Sequence, residues 1–259
     1  MKETGIPFKI LTFMATYNER ENLISLTDQI HQALPQTDIL VVDDDSPDGT
    51  GKVADQRAAN DTRWHVIHRP GKLGLGTAML EGLQFAIEQK YDYVITMDAD
   101  FSHHPKYLLD LLRGMSTVDV MIGSRYVPGG GTKNWPLSRK VISRCVNTLV
   151  RTLMRIPARD TSGGFRCYRV PWLREANLPE MISNGYSVQE EILFRCHQAG
   201  CRIGETPIVF ENRTAGASKV NLYEMIRSLS VLLYLGLGTM FGPAKKQTIA
   251  SRKNPVTRS

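Results

Sequence analysis

Tyr93-Val94-Ile95-Thr96-Met97-Asp98-Ala99-Asp100 is an apolar run that ends in two carboxylates one residue apart. Bounded in this way it reads as a β-strand over 93–98, buried on both faces as strands of a parallel sheet are. Two acids flanking one residue in an extended or turning backbone can point toward a common centre. Hard cations such as Mg²⁺ take oxygen ligands, typically one or two carboxylates with substrate phosphates and water. A cation so held neutralises charge building on a leaving diphosphate. An Asp-x-Asp elsewhere is commonly a cap or a solvated turn; its position directly after a buried strand favours the ligand role here.

Outward from this run, Phe8–Ala15, Asp38–Asp44, Trp64–His68 and Val118–Ser124 also read as strands. Glu19–Ala33, Gly49–Ala59, Gly76–Glu88 and Pro105–Gly114 read as the helices between them. That alternation predicts an α/β fold with a doubly wound, mostly parallel sheet, whose ligands bind beyond the carboxyl ends of the strands. A second group of acids, Asp43, Asp44 and Asp45, closes the second strand. Ser46 to Thr50 has the composition of a turn and helix cap, whereas Asp44 suits hydrogen bonds from a ribose or a base edge.

The second half is more basic. Leu137–Arg155 reads as an amphipathic helix with Arg139, Lys140, Arg144, Arg151 and Arg155 among Val141, Ile142, Val146, Leu149, Val150, Leu153 and Met154. Arg139 and Ser143 share one face of it, being four residues apart. A helix over Val188–Ala199 carries Glu191. Leu222–Phe241 is the most hydrophobic stretch, but Glu224 and Arg227 interrupt its start and Gly236, Gly238 and Gly242 weaken its end. Crossing a bilayer takes about 20 predominantly apolar residues, so the stretch reads as an interfacial or partner-binding helix, or one packed on the domain's own core. The expected organisation is a catalytic domain over 1–220, this helix over 221–242 and a basic tail over 243–259.

The chain has 259 residues, 42% of them hydrophobic, and a net charge of +6. Such a length fits one large domain, and such a charge favours anionic partners. The acid-rich centre of the expected sheet argues against nucleic acid. Met1 to Pro7 does not read as a signal peptide, and the four cysteines lack paired metal-ligand spacing, which suggests reduced thiols in the cytoplasm. Gly74-Leu75-Gly76 follows the third expected strand, whereas a dinucleotide-binding loop belongs after the first. His103-His104, at a helix start before Pro105, read as shape and capping.

Further blocks complete the pattern: Thr16-Tyr17-Asn18-Glu19-Arg20-Glu21-Asn22, Asp43 to Thr50, Lys72-Leu73-Gly74-Leu75-Gly76-Thr77-Ala78 and Met97 to Pro105. Gly123-Ser124-Arg125-Tyr126, Thr161 to Arg166, Glu205 to Phe210, and Arg213 with Gly216-Ala217-Ser218-Lys219 follow in order. Together these blocks resemble the family 2 glycosyltransferases of GT-A fold. They look most like the dolichol-phosphate, or polyprenyl-phosphate, mannosyltransferases of the compact type without a multi-span membrane domain. The resemblance implies that Ala15, Tyr17, Glu19, Val42 and Asp44 hold the nucleoside of GDP-mannose, Ala15 standing where the family usually has Pro. Asp98, Ala99 and Asp100 would line the diphosphate. Asp100 would be the principal ligand of Mg²⁺ or Mn²⁺, with Ser102 where some members place a Gln ligand. Arg125, Arg213 and Lys219 would bracket the diphosphate and sugar as cations, with Asp98, Asp100 and Arg125 carrying catalysis. Arg139 and Ser143 would grip the phosphate of a dolichyl or undecaprenyl acceptor.

The resemblance further implies inversion at the anomeric carbon, giving a β-linked mannosyl phosphate lipid for glycan or protein glycosylation. UDP-glucose or another sugar nucleotide is the alternative donor. A phosphate acceptor, with a second pKa of about 6, needs positioning and charge management more than a base. Glu191 is accordingly assigned a structural or sugar-orienting role before a basic one. The protein is expected at the cytoplasmic face of a membrane, held peripherally at its surface, where a small membrane-anchoring subunit is a further possible partner.

Overall fold

The computed structural model describes residues 8–183, 185, 187–212 and 230–237. Four strands alternate with helices as the apolar runs require: β1 (Ile10–Thr16), α1 (Arg20–Ala33), β2 (Thr37–Asp43), α2 (Thr50–Ala58), β3 (Trp64–His68), α3 (Leu75–Glu88) and β4 (Tyr93–Thr96). They pair in parallel in the order β3-β2-β1-β4. Successive side chains of a strand point to opposite faces, and each face has its own helices. Ile10 and Met14 pack with Leu23, Leu26 and Ile30 of α1. Leu11 and Phe13 pack with Met79, Leu83 and Ala86 of α3. The approach of α3 to β1 depends on Gly82, where a Cβ would lie 2.5 Å from the Phe13 ring.

A 3₁₀ turn at Pro105–Tyr107 leads into α4 (Leu108–Gly114), β5 (Val120–Ser124), β6 (Gly131–Lys133) and α5 (Leu137–Met154). Then come β7 (Arg166–Arg169), α6 (Val170–Glu175), α7 (Val188–Gln198), β8 (Ile203–Pro207) and β9 (Val209–Glu211). The seven-stranded sheet has the order β3-β2-β1-β4-β7-β5-β8. β7 is antiparallel to both neighbours and separates β4 from β5; β8 is parallel to β5. β6 and β9 form a separate two-stranded parallel ribbon over the carboxyl end of the sheet's second half.

Residues 230–237 are helical. Leu232 is buried in one core cluster with Val150 and Met154 of α5. A Cβ at Gly236 would lie 2.2 Å from Leu153 Cγ, so this helix sits directly on α5. The described part of the hydrophobic stretch therefore packs on the domain's own core, leaving Leu233, Tyr234 and Leu237 exposed. Glu224, Arg227, Gly238 and Gly242 lie outside the described residues. Among the described residues no helix is long and apolar enough to cross a membrane.

Candidate active site

The carboxyl ends of β1 and β2 bring the first group of expected ligands together. Asp43 faces inward. Its carboxylate accepts from Thr16 Oγ1 at 2.8 Å and from the Ser46 N–H and hydroxyl at 3.0 and 2.6 Å, so it builds the turn. Asp44, the next residue, is held by Arg69, whose Nη1 donates to Oδ1 at 2.5 Å; the two side chains are only 9% and 3% exposed. The Gly74 N–H donates to Asp44 Oδ2 at 3.3 Å, while Arg69 also donates to Gly74 O and Thr77 Oγ1. Asp44 thus ties β2 to the β3–α3 loop. Arg69 escaped the sequence reading, although its position at the end of the next strand is where a partner for a strand-end acid would stand.

Tyr17 lies at the open edge, with Lys72 Nζ 4.0 Å from its ring centroid. Glu19 is buried: its N–H donates to Thr50 Oγ1 at 3.0 Å and its carboxylate accepts from Asn22 Nδ2 at 2.9 Å. Ala15 is half-buried at the end of β1. Val42 is fully buried in the core.

After β4 the backbone turns through Phe101, at a φ of 62°. Asp98 is 46% exposed at its side chain, and its N–H donates to His103 Nδ1 at 3.0 Å. The Ser102 N–H donates to Asp100 Oδ1 at 3.0 Å, and Ser102 itself is buried. His103 stacks on Phe165 with centroids 5.0 Å apart and meets the edge of Phe210 at 5.4 Å. Burial pushes the His103 pKa down, against the pull of Asp98. Its Nδ1 accepts a backbone N–H, so the ring is neutral with its proton on Nε2. The 3.6 Å approach of Nδ1 to Asp98 Oδ2 is therefore no ion pair. His104 accepts from the Lys106 N–H at 3.2 Å. Both histidines shape and cap the loop, as expected.

No group of three or more His, Cys, Asp or Glu able to hold a metal occurs among the described residues. Asp98 and Asp100 supply two hard oxygen donors on one turn. That set fits a cation completed by phosphate oxygens and water, as Mg²⁺ sites are, and does not fit a metal needing an all-protein cage.

The basic half lies across β5, α5 and the loop before β7. Arg125 forks onto Asp160, with Nε to Oδ2 at 2.7 Å and Nη2 to Oδ1 at 2.6 Å. The Asp160 carboxyl is fully buried. Burial alone would raise its pKa, but hydrogen bonds from Arg125 hold it below the usual carboxylate range. Arg125, expected to bracket the diphosphate and sugar as a cation, is here paired with Asp160. Asn147 of α5 accepts from the Thr161 and Ser162 N–H groups at 2.7 and 3.1 Å, fixing that loop to the helix. Tyr126 donates to Ser143 Oγ at 2.6 Å. Arg139 lies 4.0 Å from the Trp135 ring centroid and donates to Asn212 Oδ1 at 2.9 Å. Arg213 and Lys219 lie outside the described residues.

Glu191 is structural. It is fully buried, accepts from the Ile182 and Ser183 N–H groups at 3.1 and 2.7 Å, and pairs with Arg195 at 2.9 Å. Its neighbour Glu190 is only 4% exposed, and Oε2 lacks a hydrogen-bond partner among the described residues. Burial pushes the Glu190 pKa up to about 7, against Arg166 and Arg125.

The acidic and basic halves are joined by a run of contacts. Asp98 leans on His103, His103 on Phe210, Phe210 on Trp135 at 5.5 Å, and Trp135 on Arg139.

Residues 12–176 match the model of the family described as glycosyl transferase family 2. An undecaprenyl-phosphate mannosyltransferase of Micrococcus luteus is 45% identical over 213 residues, covering 82% of this chain and 88% of that protein. A polyprenol monophosphomannose synthase of Mycolicibacterium smegmatis is 43% identical over 215 residues, covering 82% and 81%. Among solved structures, glucosyl-3-phosphoglycerate synthase of Mycobacterium tuberculosis, in complex with Mn²⁺, UDP and phosphoglyceric acid, superposes with a TM-score of 0.64 at 16% identity. The match covers 88% of this chain and 78% of that one. At that identity the likeness is one of fold.

Proposed function

The chain belongs to glycosyl transferase family 2, with a GT-A fold, and from that premise we propose that it transfers mannose from GDP-mannose to a polyprenyl phosphate. The observation that carries this reading is the run from Asp98 through His103, Phe210 and Trp135 to Arg139. It sets a carboxylate pair suited to a metal diphosphate beside a basic helix suited to an anionic acceptor. Two relatives named for mannosyl transfer to polyprenyl phosphates support it.

In this reading Tyr17, Lys72 and the Asp44–Arg69 pair face the nucleoside. Asp98 and Asp100 would hold Mg²⁺ or Mn²⁺, which would supply charge neutralisation for the departing diphosphate. Arg213 and Lys219 remain the proposed cations for the diphosphate. Arg139 and the Ser143 hydroxyl orient the lipid phosphate, whose oxygen displaces the nucleoside diphosphate at the anomeric carbon with inversion. Since the acceptor is anionic near neutral pH, orientation and electrostatics carry the rate. Glu191, locked by backbone N–H groups and Arg195, takes no part as a base.

Membrane contact belongs to the outer face of α5. Leu137, Val141, Ile142 and Leu149 are exposed there beside Arg144 and Arg151, and Tyr234 and Leu237 are exposed on the helix that packs on α5. Apolar residues among cations suit an anionic lipid surface. The protein thus works peripherally at the cytoplasmic face. The donor assignment is tested by equilibrium binding of GDP-mannose and UDP-glucose with Mg²⁺. Tighter binding of GDP-mannose is expected; equal or tighter binding of UDP-glucose overturns it.

A further inference from the structure

Four buried side-chain atoms lack a hydrogen-bond partner among the described residues: Trp135 Nε1, Arg166 Nε, Gln189 Oε1 and Glu190 Oε2. Leaving such an atom unpaired costs about 1–3 kcal/mol, so a group of them in one region calls for a reason. Contacts around them run from the Asp98 loop toward α5. Trp135 packs on Phe210 and lies 5.4 Å from the Arg125 guanidinium. Arg166 donates to Gln189 O at 2.6 Å. Gln189 lies against Gly164, where a Cβ would be 3.3 Å from Gln189 Nε2 and 3.8 Å from His103 Cε1. Gly164 O in turn accepts from Thr96, at the end of β4 just before Asp98. Glu190 and Arg125 each feel the other's charge.

Two of these orphans, Gln189 Oε1 and Glu190 Oε2, are acceptors on consecutive residues in the first turn of α7. Neither atom has a hydrogen-bond partner among the described residues, although Glu191 beside them is fully engaged. What they lack is a set of hydrogen donors that carries no negative charge, because an anion would be repelled by a charged Glu190. The hydroxyls of a pyranose are such donors, and the adjoining acids already suit the diphosphate to which a donor sugar is attached.

We propose that Glu190, seconded by Gln189, accepts hydroxyl groups of the donor's hexose and so reads which sugar is transferred. This rests on the sugar-nucleotide reading above. Glu190 holds the sugar without taking a proton from the acceptor, and its loss is felt by the sugar and not by the nucleotide.

The test separates those two parts of the donor. Dissociation constants with Mg²⁺ are measured for GDP, GDP-mannose, UDP and UDP-glucose on the full chain and on Glu190→Met and Glu190→Gln. The expected result is a loss of about tenfold or more in sugar-nucleotide affinity for Glu190→Met, the size of a lost hydrogen bond to a charged group. Affinity for the matching nucleoside diphosphate should hold, and Glu190→Gln, which keeps an acceptor oxygen and the side-chain shape, should lose less. A deoxy analogue of the preferred donor that binds the natural chain more weakly should bind Glu190→Met no worse than the parent sugar does. Equal losses for nucleoside diphosphate and sugar nucleotide overturn the proposal, as does no loss at all. So does a deoxy penalty that persists undiminished in the variant. A preference for uridine would overturn the GDP-mannose assignment and leave this inference standing, since the comparison is made within one base. If Glu190→Met does not fold, the same contrast is read on the isosteric Glu190→Gln.

Discussion

The backbone N–H of Asp98 donates to Nδ1 of His103 at 3.0 Å, so the loop carrying the two acids is aimed by a neutral, buried imidazole. His103→Phe would keep the stacking on Phe165 and leave that N–H unpaired, at a cost of about 1–3 kcal/mol. Thermal unfolding should show the loss, and half-saturation by Mg²⁺ in transfer should move to higher concentration. His103→Asn, which returns an acceptor, should recover part of the metal response. Unchanged metal dependence in His103→Phe would mean that the imidazole does not set the loop.

Arg69 is the sole ion-pair partner drawn to Asp44 among the described residues, and both are nearly sealed from solvent. Removing one member of a buried pair typically costs about 3–5 kcal/mol because the other charge is stranded. Arg69→Gln should lower the melting temperature and weaken GDP binding together. Arg69→Gln with Asp44→Asn should recover stability without recovering nucleotide affinity. Recovery of both would reduce Asp44 to a scaffold residue.

Asp100 is partly exposed and accepts from the Ser102 N–H. Asp100→Ala should leave the fold intact, as circular dichroism and melting would show. It should lower kcat by roughly 100-fold or more, consistent with the several kcal/mol that a bound cation contributes. Ordinary turnover in this variant would refute the metal assignment.

On α5, Arg139→Ala should raise KM for the lipid phosphate about 10-fold or more, the scale of a hydrogen bond to a charged group, with kcat and GDP affinity changing less. Ser143→Ala, which also frees the Tyr126 hydroxyl, should act in the same direction. A selective fall in GDP affinity would place the acceptor phosphate elsewhere.

Burial pushes Glu190 up to about 7, above an ordinary value of about 4.3 in the unfolded chain. Between these values the folded state binds the extra proton, so the slope of stability with pH is negative. The stabilisation is complete below about pH 4.3 and is lost as pH rises through 7, a change of up to roughly 4 kcal/mol at 1.36 kcal/mol per unit. Glu190→Gln should flatten this component in denaturant titrations between pH 5 and 8. An identical pH profile in the variant would contradict the burial of this carboxyl.

The parallel half of the sheet was legible because residues such as Ile39 to Val42 form unbroken apolar runs, which only a strand covered on both faces requires. β7 was not legible. Arg166 to Arg169 begins and ends in arginine, and its burial depends on distant acceptors: the carbonyls of Gln189 and Thr161 for Arg166, and Asp119 and Tyr93 for Arg169. Asp98 and Asp100 announced themselves by following a strand. Asp160 and Asn147 did not, since their partners Arg125, Thr161 and Ser162 meet them only once α5 is folded against β5. The choice between Glu190 and Glu191 was open to the sequence in one respect. Arg195 stands one helical turn beyond Glu191 and claims it, which leaves Glu190 to the role proposed above.

The most direct test of the account is transfer itself: purified chain, a polyprenyl phosphate in detergent, Mg²⁺, and labelled GDP-mannose beside UDP-glucose and UDP-GlcNAc. The account predicts mannose in the lipid phase, none after chelation, and little transfer from either UDP-sugar. Transfer from a UDP-sugar in preference to GDP-mannose would contradict it.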